Sequence, residues 1–500
     1  MLTDEEKEIL AHTSCDNSRI FLPFTDDDTL DRYTVPGKFT DKDGFLELSP
    51  LQSKHSVKWQ RIDEICKNKK PKIVYGEHVD WNSVRQSVVG DCSFLSSLVV
   101  AAHYEKRFAK PLITSTIYPR NIDNIPVYNP CGQYAIKLHM NGIERKIVID
   151  DYLPVSQYNQ LLCAHSSNQS EFWVSLLEKA YMKLMGGYNF PGSDGGRDLH
   201  ALTGWIPELI QVQDDDPNFN TNNLFDQLKT AINDGRCLIT VITSTEISEE
   251  EVKRSGLVAR HAYAVLDMRE IDGVKLLQLK NPWSQTRWKG NYSEYDIVHW
   301  TKKLQQLLDY DPKQATRVDN GVFWMDYHSL LYYFRTFSVN WNPALFQFTD
   351  VIHEKWSPGN GIVAQTIGDS PQYSLTVGSG TGSVWILLTT HVTCSEDICQ
   401  KREFLRLLVY LNNGRKVIFP RDYFTDEKRI NNQHFLAKLR LDANQAKKYT
   451  LVVSQFSKIA TNYYTMRIYC GTSFELKPLA REYFANVKKL SHNMRNFLHF

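Results

Sequence analysis

Two apolar runs with three- and four-residue spacing stand out in the first half of the chain. In Cys92-Ser-Phe-Leu-Ser-Ser-Leu-Val-Val-Ala-Ala-His-Tyr, the positions Leu95, Leu98, Val99 and Ala102 recur on one face, which predicts a buried helix. In Glu171 to Met185, Trp173, Leu176, Leu177, Ala180, Tyr181 and Leu184 do the same, and Gly186-Gly187 ends the run. Between them, Tyr134 to His139 and Arg145 to Asp150 flank the turn signal Asn141-Gly142 and predict a hairpin. The glycine-rich stretch 186–204 predicts a long loop or hinge. Short β-type runs follow at Cys237 to Thr243, Ala262 to Asp267, Val274 to Lys280 and Val322 to Met325, each bounded by turn residues, and a mainly antiparallel sheet fits them. From 345 to 475 the pattern changes to alternating strands at Gln372 to Val377, Val384 to Thr389, Phe404 to Tyr410, Phe435 to Leu441, Tyr449 to Ser454 and Tyr463 to Tyr469. Several short strands separated by turn residues predict a β-sandwich.

These shifts divide the chain into five segments: a polar, acidic linker over 1–45 with a short helix near Glu5 to Leu10, a helical lobe over 46–205, a β-rich lobe over 206–340, the sandwich over 345–475, and a basic, aromatic tail over 476–500. The expected fold class is α+β.

Composition narrows the function. Of 500 residues, 58 are Lys or Arg and 57 are Asp or Glu, a formal net charge of +1. A balance this even argues against nucleic acid as a partner, whose binding rests on excess positive charge. No run of 18 or more apolar residues predicts a membrane span, and the opening MLTDEEKEIL lacks the basic and apolar regions of a signal peptide. The nine cysteines are scattered and never spaced CxxC, so reduced thiols in a cytoplasmic protein are expected rather than disulfides or zinc.

One cysteine has distinctive surroundings. In Gln86-Ser-Val-Val-Gly90-Asp91-Cys92, the thiol opens the apolar helix, and Asp91 stands where an N-cap accepts a backbone N–H. The positive end of a helix favours thiolate, and its free N–H groups can hold an oxyanion. Gln86 is near enough to add a side-chain amide. Farther on, His261 stands at the start of one predicted strand, and Asn281-Pro-Trp283 ends the next. If those strands pair, imidazole and carboxamide meet, the asparagine oxygen fixes the tautomer, and Trp283 covers the bond. Taken singly, each segment has a plainer reading: a small apolar cysteine, a core histidine, a turn-starting asparagine. Together they outline a cleft with the thiol on one lobe and His/Asn on the other.

These segments resemble the calpain family of papain-like cysteine proteases. The resemblance rests on Gln86…Gly90-Asp91-Cys92, His261-Ala-Tyr263, Asn281-Pro-Trp283…Trp288-Lys-Gly290, the helix Glu171 to Tyr181 and Val322-Phe-Trp-Met325, and it covers about 50–340. Ser93, Tyr128-Asn-Pro-Cys131-Gly and Leu199-His-Ala-Leu-Thr-Gly-Trp205 are similar to the PalB-like, calpain-seven branch. It implies a two-lobed protease core followed by a β-sandwich, and an endopeptidase making limited cuts in protein substrates through a thioester acyl-enzyme. In that reading Cys92 is the nucleophile, His261 the base and acid, Asn281 the orienter and Gln86 the oxyanion donor, with Trp283, Asp91 and Gly90 in support. The branch also implies endosomal-sorting partners, a peripheral membrane contact through the sandwich, and endosome or nucleus as further compartments. Relatives of that branch carry additional helices and a second sandwich, so the chain is expected to be short at both ends.

Many calpain cores bind calcium, a hard cation that takes six to eight oxygen ligands. Where that pattern has acids, this chain has Ser83, Arg287, Asn320 and Val322, while Glu294 is retained. Weak or absent calcium binding is therefore expected, and no cofactor is called for. Two other readings compete with the enzyme: an interaction module with vestigial catalysis, and a transglutaminase-type acyl transferase, against which Asn281-Pro-Trp283 argues.

Overall fold

The computed structural model describes residues 2–480 except 68, 77, 214–216, 218, 319, 358–366, 381, 394–403, 420–431 and 456–460. In it the chain forms two units, one of Cys15–Asn342 and one joining Met1–Ser14 to Pro343–Phe500. The segment read as a linker is thus divided. Its first part forms helix α1 (Asp4–His12), which buries Ile9 and Leu10 and opens with a reciprocal cap. Thr3 Oγ1 accepts from the Glu6 N–H at 3.2 Å, and the Glu6 carboxylate accepts from the Thr3 N–H at 2.9 Å. Residues 15–45 belong to the other unit.

Within Cys15–Asn342, α2 (Cys92–Phe108) runs through the middle of a large apolar cluster. Leu95, Leu98, Val99 and Ala102 have no exposed surface, as the spacing requires. The hairpin β1 (Gln133–Met140) and β2 (Ile143–Asp150) turns at Asn141 and Gly142, both at positive φ, and packs beside α3 (Trp173–Leu184).

The expected loop over 186–204 is where the structure departs from the reading. Its second half is a helix, α4 (Gly195–Thr203), capped by Asp194, whose carboxylate accepts from the Arg197 N–H at 3.0 Å. The glycines that suggested a hinge serve close packing instead. A Cβ on Gly195 would lie 1.9 Å from Thr240 Oγ1.

A six-stranded antiparallel sheet follows. Its strands are β3 (Ile206–Gln211), β4 (Cys237–Ile242), β5 (Ala262–Ile271), β6 (Val274–Lys280), β7 (Val322–Asp326) and β8 (Thr336–Trp341), in the spatial order β3-β8-β4-β5-β6-β7. Helix α5 (Thr221–Asn233) covers β5 and β4. The sheet has its own apolar cluster, including Phe225, Tyr263, Leu277, Phe323 and Val339.

The other unit holds two four-stranded sheets. One contains β9 (Phe348–Trp356), and the other β10 (Gln372–Val377); β11 (Ser383–Thr390), β12 (Arg406–Tyr410), β13 (His434–Arg440), β14 (Lys447–Ser454), β15 (Asn462–Cys470) and β16 (Phe474–Leu479) complete them. The orders are β9-β15-β11-β13 and β12-β14-β10-β16. Leu375, Leu407 and Leu451 of one sheet share an apolar cluster with Ile386, Met466 and Ile468 of the other. Of the predicted tail, 476–479 extends β16, and 481–500 lies outside the described residues.

Candidate active site

The pairing of β5 with β6 sets one side of the site. Ala264 lies opposite Lys280, which places His261, just before β5, near Asn281, just after β6. His261 Nε2 and Asn281 Oδ1 are 2.8 Å apart, so this ring nitrogen carries the proton and Nδ1 is left as the acceptor. Asn281 Oδ1 also accepts from the Trp283 N–H at 3.0 Å. The Asn281 amide donates to the Gln285 and Thr286 carbonyls at 2.8 and 2.9 Å. Thus all the polar atoms of a fully buried carboxamide are engaged. The Trp283 ring packs on His261 with centroids 4.7 Å apart and is 42% exposed, so it shields the pair on one face and meets solvent on the other. Burial lowers the His261 pKa to about 4, against the opposing effect of its bond to Asn281.

Cys92 is brought to this pair from the other lobe. The Ala262 backbone amide, next to His261, acts on the Cys92 thiol, as does that of Ser93, both favouring the thiolate. Near the site the lobes are joined by hydrogen bonds from Gln86 N–H to Pro282 O at 3.0 Å, Ser96 Oγ to Ala262 O at 2.9 Å and Ser284 Oγ to Val84 O at 3.4 Å, and farther off by Arg107 to Asn233 and Asn340 to Gly196. The sequence expectation that the helix start favours thiolate is corrected here. Burial pushes the Cys92 thiol up to about 11; the Ala262 amide opposes this, and Asp91 and Asp198 reinforce it. The resting pair at neutral pH is thiol and neutral imidazole.

Asp91 also differs from expectation. It occupies the N-cap position, but its side chain makes no capping hydrogen bond. Instead its carboxyl bonds to Glu178 and accepts from Gln86 Nε2 at 3.2 Å. Burial raises both acids: Asp91 to about 7, with Glu178 opposing the rise and Asp198 adding to it, and Glu178 well above the carboxylate range, with Asp91 adding to it. Asp91 and Glu178 therefore share a proton at neutral pH. Asp198, also raised by burial, to about 6, accepts from Tyr181 Oη. Sequence reading missed Glu178 and Asp198: Glu178 lies on a helix whose apolar periodicity drew attention away from it, and Asp198 lies in the stretch read as a loop.

Gln86 borders the site, yet its amide nitrogen is directed to Val89 O at 2.8 Å as well as to Asp91. Both N–H bonds are spent within its own loop. Gly90 is exposed, has no left-handed φ, and a Cβ there would meet nothing within 4 Å.

The residues expected at calcium positions do not form an oxygen cage. Ser83 Oγ donates to Asp80 O at 2.7 Å. Arg287 Nε lies 3.0 Å from Glu294 Oε1, with both side chains buried, and the same guanidinium donates to Ala315 O and Val318 O. Asn320 Oδ1 accepts from the Val322 N–H, and Asn320 O accepts from buried Lys280 Nζ. Two fixed side-chain cations at this place oppose a divalent one.

Comparison with known proteins bears on the same region. A family model described as calpain family cysteine protease matches residues 38–340. Over 487 residues the chain is 46% identical to Calpain-7 of Mus musculus and 45% identical to Calpain-7 of Homo sapiens, covering 96% of this chain and 59% of each relative. It is also 35% identical over 413 residues to the calpain-like protease palB/cpr-8 of Neurospora crassa, covering 80% of this chain and 43% of that protein. The chain thus spans about three fifths of the length of the Calpain-7 relatives. Among the described residues, no helix is long and apolar enough to cross a membrane.

Proposed function

The chain belongs to the calpain family of cysteine proteases, and from that premise we propose that it is an endopeptidase making limited cuts in protein substrates through Cys92, His261 and Asn281. The observation that carries this reading is the junction at Ala262, whose amide acts on the Cys92 thiol while the preceding residue, His261, is bonded to Asn281 at 2.8 Å.

In the proposed mechanism His261 Nδ1 takes the thiol proton as sulfur attacks the scissile carbonyl carbon. The negative charge on the carbonyl oxygen is met by the backbone N–H groups that open α2, which have no partner inside the helix. Imidazolium then gives its proton to the departing amine, leaving a thioester on Cys92. Water, deprotonated by His261, hydrolyses that thioester and restores the thiol. Asn281 keeps the imidazole in one tautomer throughout, and Trp283 keeps water from their bond. Gln86 contributes to the oxyanion if its amide releases Val89 O or Asp91. Open space at Gly90 suits close approach of substrate backbone. The reading assigns no resident metal, since Arg287 and Lys280 hold the positions a calcium ion would compete for.

The division at 342/343 supports a protease core of two lobes, 46–205 and 206–340, followed by a further domain over 345–475. Two four-stranded sheets sharing one apolar cluster support the β-sandwich reading of that domain. Cytoplasm, with endosome or nucleus as further sites, and endosomal-sorting partners or a membrane surface met through the sandwich, belong to the same proposal. The even charge argues for protein rather than nucleic-acid partners.

A thiol-directed peptide probe tests the enzyme reading. Labelling of Cys92 that His261→Ala abolishes is expected, together with cleavage of a fluorogenic peptide. No labelling and no cleavage would instead favour an interaction module with vestigial catalysis.

A further inference from the structure

The asparagine that orients His261 is itself held by a short, strained piece of chain. Its amide donates to the carbonyls of Gln285 and Thr286, the two residues just before Arg287. Within that stretch Ser284 and Thr286 adopt left-handed φ values of 55° and 58°, which non-glycine residues keep only when their surroundings impose it. What imposes it lies next in the chain. The Arg287 guanidinium is nine-tenths buried and bridges three anchors at once: Glu294 at 3.0 Å, Ala315 O at 2.9 Å and Val318 O at 3.0 Å. Its backbone is pinned too, since the Arg287 carbonyl lies against Gly256, where a Cβ would come within 2.2 Å. A planar, permanently charged fork suits this task, because one group ties the 284–294 loop to the 315–318 turn from several directions.

We propose that Arg287 is a positioning residue: an internal cation that braces the 284–287 loop, thereby fixes the Asn281 carboxamide against His261, and stands where the family resemblance implies a calcium ion. The inference rests on the hydrolase reading above, but its bracing step can be measured without it. Calcium-free alignment of the triad then follows from the chain's own covalent structure.

Removing the guanidinium alone would strand the buried Glu294 carboxylate and endanger the fold, so the working variant pairs Arg287→Met with Glu294→Gln. It is compared with wild type and with Arg287→Lys, in Asn281 and Asn281→Ala backgrounds, by kcat and KM on a fluorogenic peptide. Hydrogen exchange of the 281–287 segment is followed by mass spectrometry. With Asn281 present, kcat is expected to fall by at least tenfold with KM within about twofold, as for a misplaced catalytic group. With Asn281→Ala, the same pair should change kcat by less than threefold, because the effect is transmitted through that side chain. Arg287→Lys should recover part of the loss, and exchange of 281–287 should quicken at least tenfold in the paired variant.

Millimolar calcium should leave wild-type kcat within twofold. A loss of equal size in both backgrounds, a loss below tenfold, unchanged exchange, or a larger calcium activation would each overturn the proposal. A wild type that neither cleaves peptide nor shows His261-dependent labelling overturns the hydrolase reading instead, and the exchange result then decides the bracing by itself.

Discussion

The two sides of the candidate site are held in place by opposite kinds of charge. Behind Cys92 lie three buried acids, Asp91, Glu178 and Asp198, all with raised pKa values. Beside His261 and Asn281 lie two buried cations, Lys280 and Arg287, bonded to backbone carbonyls and to Glu294. A shared proton holds the acid side, so its order depends on pH. An ammonium and a guanidinium group hold the other. Burial, reinforced by the neighbouring acids, keeps the thiol protonated, and burial keeps the imidazole neutral. The site therefore rests as an uncharged pair, and the proton must move during the reaction.

The sharpest way to break the comparison is to remove the groups where the sides meet. Cys92→Ala and His261→Ala should each lower kcat/KM on a fluorogenic peptide by on the order of 10⁵-fold, because nucleophile and base act as a unit. Asn281→Ala should lower it by about 10²-fold, since the imidazole is misplaced rather than lost.

A third expectation concerns pH. His261 titrates near 4, and only its neutral form can take the thiol proton. The acid limb of kcat/KM should therefore fall about tenfold per pH unit below roughly pH 4 rather than below the ordinary histidine value near 6.5. A pH–rate profile with its acid limb at 6 or above would contradict the neutral-pair description.

Two stability measurements test the side behind Cys92. Gly195→Ala should lower stability by about 1–3 kcal/mol in urea unfolding, because the new Cβ drives into Thr240 on β4. Glu178→Gln should act through pH. A carboxyl whose folded pKa is raised binds more protons folded than unfolded, so stability falls as pH rises from the unfolded value near 4 through the folded one. For Asp91 that window runs from about 4 to about 7. Removing the raised carboxyl in Glu178→Gln should flatten the decline across that window. The expected gain in Tm at pH 7 is on the order of 2–3 °C, and an unchanged slope would show that the two acids do not share a proton.

Much of this arrangement was legible in the residue order. The helix from Cys92 and the strands around His261 and Asn281 follow from periodicity, and the strand Val274–Lys280 appears with the bounds its turn residues imply. The PalB-like resemblance also holds, in the identity to Calpain-7 and to palB/cpr-8. What could not be read required knowing the third dimension. Gly195 looks like part of a hinge until Thr240 is seen to need the space. Asp91 looks like a cap until Glu178, 87 positions later, claims its carboxyl. The strand Thr336–Trp341, inside the sheet, does alternate polar and apolar residues, with Phe337 and Val339 in the core, a signal the sequence reading passed over.

The three hydrogen bonds that cross from Gln86, Ser96 and Ser284 mean that the jaws are already set at rest. An activator that works by drawing halves together would have nothing to do here. If the proposed peptidase reading holds, progress curves should begin at full slope with no lag.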